Sequence, residues 1–156
     1  MSDKKVKILN QLLSEIENHI PFKDKRNDLV SKSDIGWQLD HSLKVFNLVC
    51  ESLLKSNPNE YKGGFNKWRL LFFTLGYFPR GKVKAPKFVR PPEIITTEDI
   101  KQQLNLANKN LEQLSVANKN TFFKHFIFKN LNKKHTFRFL EIHTNHHLKI
   151  VNDIMK

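Results

Sequence analysis

The chain alternates between long segments with apolar residues at helical spacing and shorter polar or basic segments. In the first long segment, about residues 4–20, apolar side chains recur every three or four positions, which predicts an amphipathic helix ending at Pro21. The second, about residues 34–56, follows the N-cap candidates Ser33 and Asp34 and is apolar on two opposite faces. Such a helix is expected to lie between other helices rather than on a surface.

The second half of the chain predicts two more long helices. Thr96 or Thr97 caps one of them, which carries acidic residues in its first turn and continues to about Leu114. The other covers about residues 133–156, with Asn132 as its predicted cap. Four long helices, weak strand signals and no internal repeat together predict an all-α, up-down four-helix bundle.

The segments between these helices have less regular patterns. Residues 65–78 are rich in Trp, Leu and Phe and predict a short buried helix between the second and third long helices. Residues 80–92 combine Pro, Gly and Lys and predict a long basic loop, a feature that often covers a site. Residues 121–131 are dense in aromatic side chains and predict an irregular packed segment or a short helix. Only residues 87–90 are expected to be extended.

The size and composition are those of one globular domain, residues 1–156. A single cysteine, Cys50, gives no disulfide framework, which fits a reducing cytoplasm. The first residues show no signal-peptide pattern, and no stretch is long and apolar enough to span a bilayer. We therefore expect a cytoplasmic protein without a membrane partner.

The charge is strongly positive, at a formal net value of +12, and unevenly placed. Residues 61–92 contain eight Lys or Arg and no acid, and residues 113–140 contain six more, again without an acid. A basic chain of this kind favours anionic partners. Three interpretations remain open, namely a solvated surface, a funnel for an anionic small molecule, and a nucleic-acid face.

Histidines on the predicted helices form a candidate metal site. His143 and His147 are four residues apart on the last helix, so they lie on one face and can bind one ion at about 2.0–2.1 Å each. That face is otherwise apolar, so both rings should point into the core. His41, on the apolar second helix, is the best third ligand. Three histidines with an open position are typical of catalytic metal sites.

Other readings of these histidines stay open. A buried histidine on an apolar face is often a hydrogen-bonded core residue rather than a ligand. His146 is turned about 60° from the His143 face and is predicted to lie around the site or on the surface. His125, in the aromatic segment, could line the cavity. Thr144 stands where a zincin protease has its glutamate base, so protease chemistry has no support.

Three motifs resemble the DinB-like superfamily of four-helix-bundle metalloproteins. Residues 37–41, Trp-Gln-Leu-Asp-His, resemble the segment that ends in the first ligand histidine of that family. Residues 84–88 together with 91–93 resemble the middle loop of one branch, a domain of unknown function. Residues 143–148 resemble the H-x-x-H-H-L motif on the last helix of that branch. A fourth likeness, of residues 125–128 to an H-P-x-F-G element, is partial, since not all of the expected residues are present.

The resemblance implies a DinB-like bundle that binds zinc or nickel. Carried over position by position, it gives one ligand set: His41, His143 and His147. It also implies a homodimer, as is common in the family, and thiol-dependent transferase or isomerase activity of the kind that some members have. Many members have no known reaction.

The leading functional hypothesis is a metal-dependent enzyme, with thiol transfer favoured over hydrolysis. Neither Asp40 nor Glu141 is predicted to face the histidines, and a thiolate needs less help from a general base. The basic loop could hold a small anionic substrate. The alternatives are a nucleic-acid-binding module, which lacks a recognisable motif and is not favoured, and a metal-binding relic without catalysis.

Overall fold

The computed structural model describes residues 2–156, which form five α-helices and one β-hairpin. The helices are α1 (Ser2–His19), α2 (Ile35–Lys55), α3 (Lys67–Leu75), α4 (Thr97–Val116) and α5 (Lys133–Met155). The hairpin consists of β1 (Phe122–His125) and β2 (Lys129–Asn132). Short 3₁₀ turns follow α1, follow α2 and interrupt the basic loop: Ile20–Phe22, Pro58–Glu60 and Lys87–Val89. The predicted mostly helical architecture is confirmed.

Side chains cap the long helices where the sequence predicts them. The Asp34 carboxylate accepts a hydrogen bond from the Trp37 amide at 2.8 Å and starts α2. Thr96 forms a reciprocal capping box with Asp99 at the start of α4. Asn132 accepts from the amide at the third position of α5. Each cap satisfies an amide that has no partner within its own helix, which fixes where the helix begins.

The core lies among the four long helices. α2 packs against both α4 and α5, and α1 also packs against both. As predicted from its two apolar faces, α2 is buried around most of its circumference. A polar contact also crosses the core, since the buried Asn110 amide donates to the Asn47 side-chain oxygen at 3.0 Å. α2 and α5, which carry the candidate ligands, are therefore in direct contact.

The short helix α3 differs from the prediction, because none of its residues is fully buried. Phe72 and Phe73 pack inward on Phe128 of the hairpin, with ring centroids 6.2 and 5.3 Å away. Trp68 and Leu70 are 47% and 60% exposed. The long helices already fill the core, so only one side of α3 finds a partner.

The aromatic segment 121–131 is also different from the prediction, because it contains an antiparallel hairpin rather than an irregular segment or a short helix. β1 pairs with β2 in a register that runs from Phe122 opposite Asn132 to His125 opposite Lys129. Lys129 adopts a positive φ of 60°, which lets the chain reverse. The only predicted extended stretch, 87–90, instead holds the 3₁₀ turn Lys87–Val89.

Candidate metal centre

The structure brings together the three histidines that the sequence singles out. His41 comes from α2, and His143 and His147 come from consecutive turns of α5. One nitrogen atom from each ring lies within 4.8 Å of the nitrogens of the other two. The ring centroids are 4.7 Å apart for His41 and His147, and 4.7 Å apart for His143 and His147. The centroids of His41 and His143 are 5.4 Å apart. We call this group the histidine cluster.

The cluster lies at the contact between α2 and α5. His41 and His147 are buried, while His143 is half-buried and keeps part of its surface open. On an α-helix, positions four apart stack on one face, so α5 presents its two rings together to α2. The arrangement therefore follows from helical spacing on one element and the packing of the other against it.

Two of the three rings are held through Nδ1. The Nδ1 atom of His41 lies 2.8 Å from the backbone oxygen of Val89, and that of His147 lies 2.7 Å from the Gln38 Oε1 atom. A carbonyl oxygen can only accept, so each Nδ1 donates its hydrogen and each Nε2 keeps a lone pair. Histidines that bind metal ions are oriented in this way, by a hydrogen bond from the nitrogen away from the metal.

The basic loop takes part in holding the cluster. Val89 lies in the 3₁₀ turn of this loop and is 4% exposed, so the loop folds inward at the point where its carbonyl meets His41. Just before the loop, the Phe78 carbonyl accepts from Nδ1 of His146 at 3.0 Å. Backbone carbonyls within the predicted covering loop and just before it thus contact histidines on α2 and α5, respectively.

Burial makes all three rings weak bases. The pKa values of His143 and His147 lie well below the ordinary value, first because burial disfavours the charged form and then because neighbouring histidines repel a second charge. The pKa of His41 is lowered as well, mainly by burial, although the bond to Val89 and the charge of Asp40 oppose the shift. Neutral imidazole is the form that binds a metal ion, so the cluster needs little or no deprotonation.

The donor set fits a divalent transition-metal ion. Tetrahedral coordination at 2.0–2.1 Å places ligand nitrogens about 3.3 Å apart. The three nitrogens of the histidine cluster lie within 4.8 Å of one another, and modest side-chain rotations bring them to the shorter separation. Three imidazole nitrogens suit zinc, nickel, copper or iron and leave at least one position open for another ligand.

The carboxylates nearest to the cluster in sequence are engaged elsewhere. Asp40 accepts from the Lys44 ammonium and from the Gln103 amide. Glu141 pairs with Arg138 at 2.8 Å. The potential metal-binding group found within residues 2–156 consists of histidines alone. Within the described residues, no carboxylate joins the three histidines in this group.

His146 lies beside the cluster and lines a groove. Its ring centroid is 5.0 Å from that of His147, and its Nδ1 is held by Phe78. The groove has a volume of about 290 Å³ and lies between α5 and the segment that follows α3. Its lining includes two cationic side chains, Arg80 and Lys149. His146 thus lies next to the histidine cluster without being a member of it.

His125 has a structural task in the hairpin. Its Nδ1 accepts hydrogen bonds from the amides of Ile127 and Phe128 at 3.0 and 3.2 Å, which closes the turn. Phe139 lies between it and the cluster, with ring centroids 5.0 Å from His125 and 5.6 Å from His143. The structure thus places His125 behind the cluster rather than among its members.

Sequence reasoning gave no role to two residues that support His41 and His147. Gln38 holds His147, and the ring of Trp37 stacks on His41 with centroids 5.0 Å apart and planes inclined by 22°. Both precede His41 on α2 at helical spacing, three and four residues away. That spacing was the available signal, because such positions share the face of His41.

Comparison with family models, with curated proteins and with solved structures finds no match for this chain. The resemblance to the DinB-like superfamily therefore depends on the three sequence motifs. The proximity of the three histidines does not depend on that resemblance.

Proposed function

We propose that the protein is a DinB-like metalloprotein that binds zinc or nickel through His41, His143 and His147. The observation that carries this proposal is the convergence of three imidazole rings, two of which are oriented through Nδ1. The packing of the four long helices is compatible with an up-down four-helix bundle of the DinB-like type. The position of the last motif, on the face of α5 that meets α2, supports the same assignment.

We further propose that the metal centre serves an enzyme that transfers or adds a thiol. A divalent ion held by three nitrogens supplies a Lewis acid that lowers the pKa of a bound thiol. The chain itself has no thiol for this task, because Cys50 is fully buried and burial raises its pKa. The thiol therefore comes from the substrate, and the absence of a carboxylate base in the cluster is consistent with a nucleophile that ionises readily.

The groove beside His146 supports the proposal that the substrate is small and anionic. Arg80 and Lys149 both lie close enough to lower the pKa of His146 by charge repulsion, after the larger effect of burial. Two cations at the mouth of a small groove raise the local concentration of anions. Arg80 also pairs with Asp153 at 2.7 Å, which leaves Lys149 as the cation with the freer charge. The proposed substrate thus combines a thiol with a carboxylate or a similar anionic group.

Metal analysis of protein purified without an affinity tag tests the binding proposal. Wild-type protein is expected to contain about one zinc or nickel ion per chain, and the His147→Ala variant almost none. His19→Ala is the matched control, because His19 is a half-buried histidine on α1 that bonds to the Glu15 carbonyl. Wild-type protein that stays metal-free after incubation with either ion would refute the proposal.

Activity separates the enzyme proposal from a metal site without catalysis. Thiol consumption by the loaded protein is measured with a panel of electrophilic acceptors, beside its thermal stability. Stabilisation by metal without turnover would leave the binding site in place and overturn the transferase, because a ligand that binds only the folded state stabilises it in any case. Turnover that disappears in the His147→Ala variant would support both.

A further inference from the structure

The helix α3 and its flanks present a row of apolar side chains to solvent. The first of these, Phe65, is 82% exposed, and the others lie on the outer side of α3 or directly after it. We call this group the α3 surface, and its members are Phe65, Trp68, Leu70, Leu71, Leu75 and Tyr77. Large exposed apolar patches commonly mark interaction sites.

The exposure is a consequence of how firmly the inner side of α3 is attached. Asn66 caps the helix and also donates to the Ile127 carbonyl of the hairpin at 3.0 Å. At the other end, the Arg138 guanidinium on α5 donates twice to the Phe73 carbonyl. Gly76, with a φ of 73°, then ends the helix in the left-handed conformation. The orientation of α3 is fixed at both ends, so its outer side chains stay outside the core.

Cations that have no carboxylate partner lie close to the α3 surface in the sequence. Residues 61–92 contain no acid, and three of their eight cations are engaged, since Arg69 and Arg90 bond to backbone carbonyls and Arg80 pairs with Asp153. The other five are exposed, and none forms an ion pair within residues 2–156. They are Lys62, Lys67, Lys82, Lys84 and Lys87.

We propose that the α3 surface binds an anionic lipid bilayer, with α3 lying in the plane of the headgroups. A Trp and three Leu side chains exposed along a helix, with lysines close to them in the sequence, are the combination that partitions into such an interface. Anionic headgroups attract the cations, and the acyl boundary takes up the apolar side chains. No helix within residues 2–156 is long and apolar enough to cross a membrane. The expectation of no membrane partner rested on the lack of a membrane-spanning stretch and of a signal-peptide pattern, neither of which bears on binding at the surface of a bilayer.

Two other occupants fit the same surface less well. A second copy of the chain in a two-fold contact would bring the same cations against one another, which like charges disfavour. Single-stranded nucleic acid would match the charge but needs aromatic faces for base stacking. Leu70, Leu71 and Leu75 offer none, so the aliphatic half of the surface would remain exposed.

Sedimentation with vesicles tests the proposal. Wild-type protein is expected to bind phosphatidylcholine vesicles that contain about one third phosphatidylserine, and to bind pure phosphatidylcholine weakly. The double variant Leu70→Ser with Leu71→Ser is expected to lower the partition coefficient at least about tenfold. Leu29→Ser is the matched control, because Leu29 is 98% exposed but lies outside the α3 surface, and it should bind as wild type does.

The charge and the depth of insertion are tested separately. Lys82→Gln with Lys84→Gln should weaken binding to the anionic vesicles, while Lys101→Gln with Lys109→Gln on α4 should weaken it less. In a Trp37→Phe variant, Trp68 is the sole tryptophan, and its emission should shift to shorter wavelength when vesicles are added.

Any of four results would overturn the proposal. The first is no binding to the anionic vesicles, and the second is equal binding by the wild type and the Leu70 and Leu71 double variant. The third is a wild-type dimer that dissociates in this double variant, while the wild type does not bind vesicles. The fourth is oligonucleotide binding that depends on the two leucines, again without vesicle binding.

Discussion

The side-chain oxygen of Gln38 lies 2.7 Å from Nδ1 of His147, across the contact between α2 and α5. The amide nitrogen of Gln38 in turn donates to the Ser31 hydroxyl at 3.3 Å, which sets the amide with its oxygen toward the imidazole. Both Gln38 and His147 are buried, so neither can exchange this bond for water without cost. The helix that supplies one candidate ligand therefore also orients a ligand on its neighbour.

Removing the acceptor at position 38 should weaken metal binding without touching a ligand. Met replaces Gln at similar volume but accepts no strong hydrogen bond, so Gln38→Met should lower zinc affinity about 10–100-fold. Gln38→Glu retains an acceptor and should lose much less. Competition titration with a chromophoric chelator measures both variants, and an unchanged affinity in Gln38→Met would show that the bond to His147 does not support binding.

The charge beside the groove should discriminate between thiols. In cobalt-loaded protein, Lys149→Gln is expected to weaken the binding of thioglycolate several-fold, because the carboxylate loses a nearby cation. Binding of 2-mercaptoethanol, which has no charge besides its thiol, should change little. The thiolate-to-cobalt charge-transfer absorption band measures the binding of both thiols. Equal effects on the two thiols would remove the groove from substrate recognition.

Acid should destabilise the hairpin through His125. Burial lowers the pKa of His125 from 6.5 to about 4, so the unfolded chain binds its proton first as pH falls. The free energy of unfolding is therefore larger above pH 6.5 than below pH 4, by on the order of 3 kcal/mol, and this difference is lost as the pH falls from 6.5 to 4. The Asn side-chain oxygen can replace Nδ1 as acceptor, so His125→Asn should keep the turn and lose this part of the pH dependence.

Urea unfolding of metal-free wild type and His125→Asn at several pH values measures the effect. The two stabilities should differ least near pH 5, where the wild type has lost most of this contribution, and the wild type should gain more as pH rises to 7.5. Parallel curves over the whole range would contradict the assignment of the proton to His125.

Asn47 on α2 and Asn110 on α4 should contribute to the free energy of unfolding as a coupled pair. Asn110→Leu leaves the Asn47 oxygen buried without a donor, which should cost about 1–3 kcal/mol of the free energy of unfolding. The Asn47 amide also donates to the Gln103 carbonyl at 3.0 Å, so Asn47→Leu additionally removes a hydrogen bond to the backbone of α4. The double variant should be destabilised by less than the sum of the two. Chemical denaturation of all three variants checks this, and strict additivity would argue against a coupled pair.

The sequence predicted the four long helices because periodic apolar faces and capping residues act locally. Asp34, Thr96 and Asn132 sit where the backbone needs an acceptor, and the structure uses all three. Helical spacing was also sufficient to place His143 and His147 on one face. That His41 would meet them required one further inference, that α2 packs on α5, for which its two apolar faces were the evidence.

Other features depend on contacts that periodicity does not encode. The apolar content of α3 predicted burial, but whether such a helix finds partners on both sides depends on the space that longer helices leave. The hairpin depends on a turn closed by the His125 side chain, within a segment whose aromatic density favours no single structure. The Val89 carbonyl reaches His41 through the path of a loop, and no side-chain pattern indicates where a backbone carbonyl will point.

Diffraction from crystals loaded with zinc, with data collected on both sides of the zinc absorption edge, tests the central claim most directly. We predict one strong anomalous peak among His41, His143 and His147, at about 2.0–2.1 Å from Nε2 of each ring. The Nδ1 atoms of His41 and His147 should keep their bonds to Val89 and Gln38. A fully loaded crystal with its zinc elsewhere, or with His41 turned away from the ion, would contradict the account.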